Sequence, residues 1–130
     1  MRNGKHVVLC VDDDRDYLDI LKVLVTSGDY IVETASSAAE GLKEFKAAKP
    51  DLLLVDLMME EIDAGVSLVR EIRACGSNVP VFLLSSVGDN LNIIADYSTL
   101  GLSGVLQKPV DRELLLSILK AKLKQGVQSR

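Results

Sequence analysis

Short, continuous apolar runs rich in β-branched residues recur along the chain at 6–11, 30–35, 52–55, 81–84 and 105–107. Runs that are continuous rather than alternating suit strands covered on both faces, as in a parallel sheet. Helical periodicity fills the intervals. Leu18, Leu21, Leu24 and Val25 form one apolar stripe. A second helix opens at Ser37 and Glu40, a capping-box spacing, and continues through Leu42 and Phe45. Val66, Val69 and Ile72 give a third, and Ile93, Ile94 and Tyr97 a weaker fourth. The last starts at an Asp111 cap and runs through Leu115, Ile118, Leu119 and Leu123. Strands alternating with helices in this way predict a doubly wound α/β domain of five strands and five helices, joined by right-handed crossovers.

In such a sheet, ligands bind beyond the carboxyl ends of the strands, where strand order reverses. Polar chemistry should therefore cluster just after the apolar runs, and it does. The first run ends at Asp12, Asp13 and Asp14, the third at Asp56, the fourth at Ser85 and Ser86, and the fifth at Lys108. Ser36 and Ser37, after the second run, read as helix-capping residues only. If the sheet has the flavodoxin-like order 2-1-3-4-5, the first and third strands are neighbours and Asp12, Asp13 and Asp56 converge. Carboxylates about 5 Å apart repel by roughly 3 kcal/mol per pair at an effective dielectric near 20. Three such pairs approach the whole stability of a domain, about 5–15 kcal/mol. Protonation, a lysine or a cation must relieve this. Lys108 supplies one charge, and Mg²⁺ suits a site of few carboxylates, several waters and a phosphate.

Composition narrows the picture without redirecting it. A chain of 130 residues is long enough for one self-sufficient core. Its formal charge of -4 is unlike the basic footprint of a nucleic-acid-binding surface. Cys10 and Cys75 have no metal-ligand spacing and read as reduced, structural thiols. No run reaches the length of a membrane span, and the apolar segment after Arg2 and Lys5 is cut short by Asp12, unlike a signal peptide. A cytoplasmic location and no membrane contact are expected. Residues 1–125 read as one domain and 126–130 as a polar tail or the start of a linker.

The motifs VVLCVDDD at 7–14, DLLLVDLMM at 51–59, VPVFLLSS at 79–86 and LQKP at 106–109 together resemble the receiver domains of two-component response regulators, of the chemotaxis-regulator type. Each motif alone is weak; the set is specific and covers nearly the whole chain. The resemblance implies a phosphoacceptor switch rather than a turnover enzyme, one that assists its own phosphorylation and dephosphorylation. Asp56 would accept a phosphoryl group from the phosphohistidine of a sensor kinase or phosphotransfer protein. Asp12, Asp13, Asp56 and the backbone carbonyl of Met58 would hold Mg²⁺. Ser85 would be the switch hydroxyl, and Lys108 would contact the phosphoryl group. The same resemblance implies a cis peptide between Lys108 and Pro109 and an effector or output domain as partner. Homodimerisation through the face of the fourth helix, fifth strand and fifth helix stays open.

The chain departs from the family pattern in several places. Glu60 stands where Pro is usual, and Asp63-Ala64-Gly65 reads like the usual Asp-Gly with one residue inserted. Val105 stands where an aromatic switch residue is common, so signalling is expected to lean on Ser85 and backbone shifts. Met58 and Val87, two places after the acceptor and the switch hydroxyl, are apolar; neither orients a hydrolytic water, and a long-lived phosphoaspartate is expected. Glu60, Glu61 and Asp63 read as a solvated loop, His6 as a strand-edge residue, and Lys120, Lys122 and Lys124 as the wet, dipole-favoured end of the last helix. Two rival readings remain. A haloacid-dehalogenase-like phosphohydrolase would use the Asp12-x-Asp14 spacing with Asp12 as nucleophile, but Asp16 stands where that motif expects a small residue. A degenerate receiver would only dock partners, yet such a module has no need of this charge crowding.

Overall fold

The five apolar runs form five strands, with four helices among the described residues between and after them. The computed structural model describes residues 1–57, 59, 64–86 and 101–123. The elements are β1 (Val7–Val11), α1 (Arg15–Thr26), β2 (Ile31–Ala35), α2 (Ala38–Ala48), β3 (Leu52–Asp56), α3 (Ala64–Ala74), β4 (Val81–Ser85), β5 (Gly104–Gln107) and α4 (Arg112–Lys122). The expected helix around Ile93, Ile94 and Tyr97 lies outside the described residues, as do Met58, Glu60, Glu61, Asp63, Val87, Lys124 and the tail.

All pairings are parallel, in the order β2-β1-β3-β4-β5. The continuous apolar runs become intelligible once each strand's two faces are separated. Leu9, Val11, Leu53, Val55, Val81 and Leu83 face one core, which they share with Val66, Leu68, Val69 and Ile72 of α3 and with Leu42 and Phe45 of α2. Val8, Cys10, Leu52, Leu54, Phe82 and Leu84 face the other, against Leu18, Leu21 and Val25 of α1 and Leu115 and Leu119 of α4. Successive side chains point to opposite faces, and both faces are covered, so no strand position in the sheet centre is left for a polar residue. Burying each Leu or Val contributes roughly 1.5–3 kcal/mol. Cys10 is wholly buried, and burial, followed by the charge of Asp12, pushes its thiol up to about 12. That thiol is inert.

Local sequence sets the helix ends. Asp14 caps α1, its Oδ1 accepting the N–H groups of Asp16 and Tyr17 at 3.0 and 3.2 Å. Asp111 caps α4 by accepting the Leu114 N–H at 3.0 Å. At α2 the capping box is displaced by one residue. Ser37 Oγ accepts the Glu40 N–H at 3.1 Å, while the Glu40 carboxylate reaches back to Ser36, accepting its N–H at 2.8 Å and its hydroxyl at 3.2 Å. Gly41, on α2, lets that helix close on β1: a Cβ there would stand 3.0 Å from a Leu68 methyl and 3.1 Å from both Val11 methyls. At the end of the sheet away from the carboxyl ends, Arg73 donates to the carbonyls of Ser77, Val79 and Gly101 at 3.1, 2.8 and 3.3 Å. It ties the approach to β4 to the approach to β5.

Candidate functional site

Parallel registration decides which polar residues meet. Val11 of β1 lies beside Val55 of β3, so one step further Asp12 and Asp56 stand level at the carboxyl end. Oxygens of Asp12, Asp13 and Asp56 all lie within 4.8 Å of one another. Asp12 is fully buried, Asp56 nearly so and Asp13 exposed. Asp14 does not join them, because its carboxylate is committed to the cap of α1. That commitment removes the second acid of the Asp-x-Asp pair which the hydrolase reading requires.

Lys108 reaches the cluster from β5. Its Nζ is 2.7 Å from Asp12 Oδ2 and 3.5 Å from Asp56 Oδ1. The backbone places it: the Lys108 N–H donates to the Ser85 carbonyl at 2.7 Å, and the Lys108–Pro109 peptide is cis. Partial burial works against the charged lysine, but the contact with Asp12 and the charge of Asp56 outweigh it, and its pKa lies above the ordinary lysine value. Lys108 therefore stays an ammonium. Both Asp12 oxygens are engaged: Oδ2 by the Lys108 ammonium at 2.7 Å and Oδ1 by the Asp14 N–H, which it accepts at 2.9 Å.

One ammonium does not neutralise three carboxylates. An oxygen-only donor set of three carboxylates, one of them fully buried, fits a hard divalent cation. Ser85 ends β4, buried and beside Gln107 of β5, one residue beyond the Leu84 that pairs with Asp56. Val105 is 41% exposed on the edge strand, so no aromatic ring occupies that position. The carbonyl of Met58 and the side chain of Val87 lie outside the described residues.

Tyr17 is a residue that the sequence reading passed over. Its ring lies 4.6 Å from Lys108 Nζ, and its hydroxyl accepts the Val110 N–H at 3.0 Å. The available signal was its position three residues after the Asp14 cap, in the first turn of the helix that leaves the site.

Comparison with known proteins places this geometry. The response regulator receiver domain family matches residues 8–120. The chain is 37% identical over 119 residues to the transcriptional regulatory protein GlrR of Escherichia coli (strain K12), covering 92% of this chain and 26% of that protein. It is 30% identical over 118 residues to the response regulator MprA of Mycobacterium ulcerans (strain Agy99), covering 91% of this chain and 50% of that protein. The chain thus spans half or less of the length of these relatives. Among solved structures, a CheY-like response regulator receiver domain protein from Methanospirillum hungatei JF-1 superposes with a TM-score of 0.85 at 25% identity, covering 97% of this chain and 99% of that one. Strand order, the acidic cluster at the carboxyl ends and a family match over most of the length agree, and the chain belongs to the response regulator receiver domain family.

Proposed function

We propose that this chain is a phosphoacceptor switch in which Asp56 takes a phosphoryl group from the phosphohistidine of a partner kinase or phosphotransfer protein. The observation that carries the reading is the convergence of Asp12, Asp13 and Asp56 within 4.8 Å, with the Lys108 ammonium against two of them. An Asp56 oxygen attacks phosphorus in line; the new O–P bond forms as the histidine N–P bond breaks, and the released imidazole keeps the electron pair and takes a proton from solvent. Lys108 neutralises one phosphoryl oxygen, and the Ser85 hydroxyl donates to another. Asp12, Asp13 and Asp56, with the Met58 carbonyl, would hold Mg²⁺, which when bound would supply Lewis-acid neutralisation of charge on the phosphoryl oxygens.

Phosphorylation replaces the one negative charge of the Asp56 carboxylate with close to two on the phosphoryl oxygens. They draw on the same Lys108 that now pairs with Asp12 and Asp56, and so bias the strand ends around Ser85 and Lys108 toward a second arrangement. The output is a changed surface, read by an effector or output domain; GlrR is named a transcriptional regulatory protein. A formal charge of -4 is unlike the basic footprint of a nucleic-acid-binding surface, and no described helix is long and apolar enough to cross a membrane. We place the protein in the cytoplasm, where a kinase would meet it.

Incubation with acetyl phosphate and Mg²⁺, followed by mass spectrometry, tests the assignment. One phosphoryl group on Asp56, lost in Asp56→Asn and in EDTA, is expected. Label on Asp12 would establish the hydrolase reading instead, and no label from acetyl phosphate or a phosphohistidine donor would leave a docking module.

A further inference from the structure

Tyr17 touches the site twice, by two different kinds of contact. Its ring face lies beneath the Lys108 ammonium at 4.6 Å, and its hydroxyl accepts the N–H of Val110, two residues beyond that lysine, at 3.0 Å. One side chain on α1 thus grips both the charged end of Lys108 and the backbone from which Lys108 springs. A lysine ammonium is a point charge on a long, flexible stem, and its position must be imposed from outside. The carboxylates alone would pull it toward Asp12, already 2.7 Å away. An aromatic face on another side attracts the cation without neutralising it, so the charge remains available to an incoming phosphoryl oxygen.

We infer that Tyr17 is a positioning residue for phosphoryl transfer through its ring, which seats the Lys108 ammonium beside Asp56, while its hydroxyl only ties the segment after Pro109 to α1. The inference rests on the reading of Asp56 as phosphoacceptor. As mere packing against the α1 and α4 core, which Tyr17 also contacts, the side chain would be replaceable by Leu without effect on Lys108.

Two variants separate the parts. Tyr17→Phe keeps the ring and removes the hydroxyl; Tyr17→Leu removes both and remains apolar. The first readout is independent of phosphorylation. Protons on the Lys108 Cε, assigned by their loss in Lys108→Arg, should be shifted upfield by the ring current in the wild type and in Tyr17→Phe, and return to ordinary lysine positions in Tyr17→Leu. The second is the maximal rate of Asp56 labelling by acetyl phosphate in Mg²⁺, expected to be roughly three- to tenfold lower in Tyr17→Leu and within about twofold of wild type in Tyr17→Phe. Unshifted Lys108 signals in a wild-type chain that labels normally overturn the inference. So does an unchanged rate in Tyr17→Leu, or a Tyr17→Phe variant as slow as Tyr17→Leu. Failure of the function reading looks different: the wild type takes no label on Asp56, whatever the Lys108 signals show.

Discussion

Replacing Asp13 by Asn removes one charge from the acidic cluster without touching the Lys108 pair, and its effect on stability should change sign with magnesium. Lys108 contacts Asp12 and Asp56 but no Asp13 oxygen in any ion pair among the described residues. Asp13 therefore faces two carboxylates and one ammonium, a net charge near minus one, at a separation of up to 4.8 Å. Coulomb's law at that distance gives about 1 kcal/mol at the dielectric of water and about 3.5 kcal/mol at an effective value of 20. Asp13 is exposed, which places the repulsion near the lower figure, roughly 1–2 kcal/mol. For a domain of this length the unfolding entropy is about 0.27 kcal/mol per kelvin, so Asp13→Asn should melt about 4–7 °C higher in EDTA. Magnesium at a hundredfold excess over its dissociation constant adds about 2.7 kcal/mol, or about 10 °C, to a protein that binds it only when folded. If Asp13 is a ligand as proposed, the variant should gain far less, and the order of the two melting temperatures should invert. Thermal unfolding followed by circular dichroism, with and without Mg²⁺, reads both effects. A variant that melts at or below wild type in EDTA refutes the repulsion, and equal gains from Mg²⁺ refute the shared ion.

Other predictions follow from burial and from the helix ends. Cys75 is exposed, whereas Cys10 is buried with its thiol pushed up to about 12; a maleimide reagent at neutral pH should modify one thiol in the native protein and two after denaturation, and rapid native labelling of Cys10 would contradict the packing. In Gly41→Ala the new methyl meets the β-branched Val11 at 3.1 Å; crowding should exceed the helix-propensity gain and destabilise by about 1 kcal/mol, read as a melting temperature lower by about 4 °C. Hydrogen bonds from the Ser36 N–H and then its hydroxyl hold the Glu40 carboxyl below its ordinary range. A depressed acid stabilises the fold above its unfolded value, about 4.3, and that contribution is lost as pH falls through the folded value. Glu40→Gln should therefore lower the melting temperature at pH 7, and the difference should shrink as pH falls below about 4.

The strands and the four described helices were legible because burial on a covered sheet is written as continuous apolar sequence, helices as apolar stripes, and two helix starts as Ser37 and Asp111. Those are local properties. Even so, the Glu40 box closed on Ser36 rather than Ser37, since a hydrogen bond needs a position in space that spacing alone does not supply. The expectation that Asp12, Asp13 and Asp56 meet depended on β1 and β3 being neighbours, a matter of strand order, which the sequence suggested through family likeness and the parallel pairing decides. Asp12, Asp13 and Asp14 are chemically alike in sequence; only the turn into α1 assigns one to the helix cap and leaves the other two to the cluster. Tyr17 carried no motif, and its place against Lys108 and Val110 arises where α1 and the end of β5, about ninety residues apart in the chain, come together. Local chemistry thus lay in the sequence, whereas contacts between distant segments were set by the register of the sheet and the docking of α1 and α4 on one face of it.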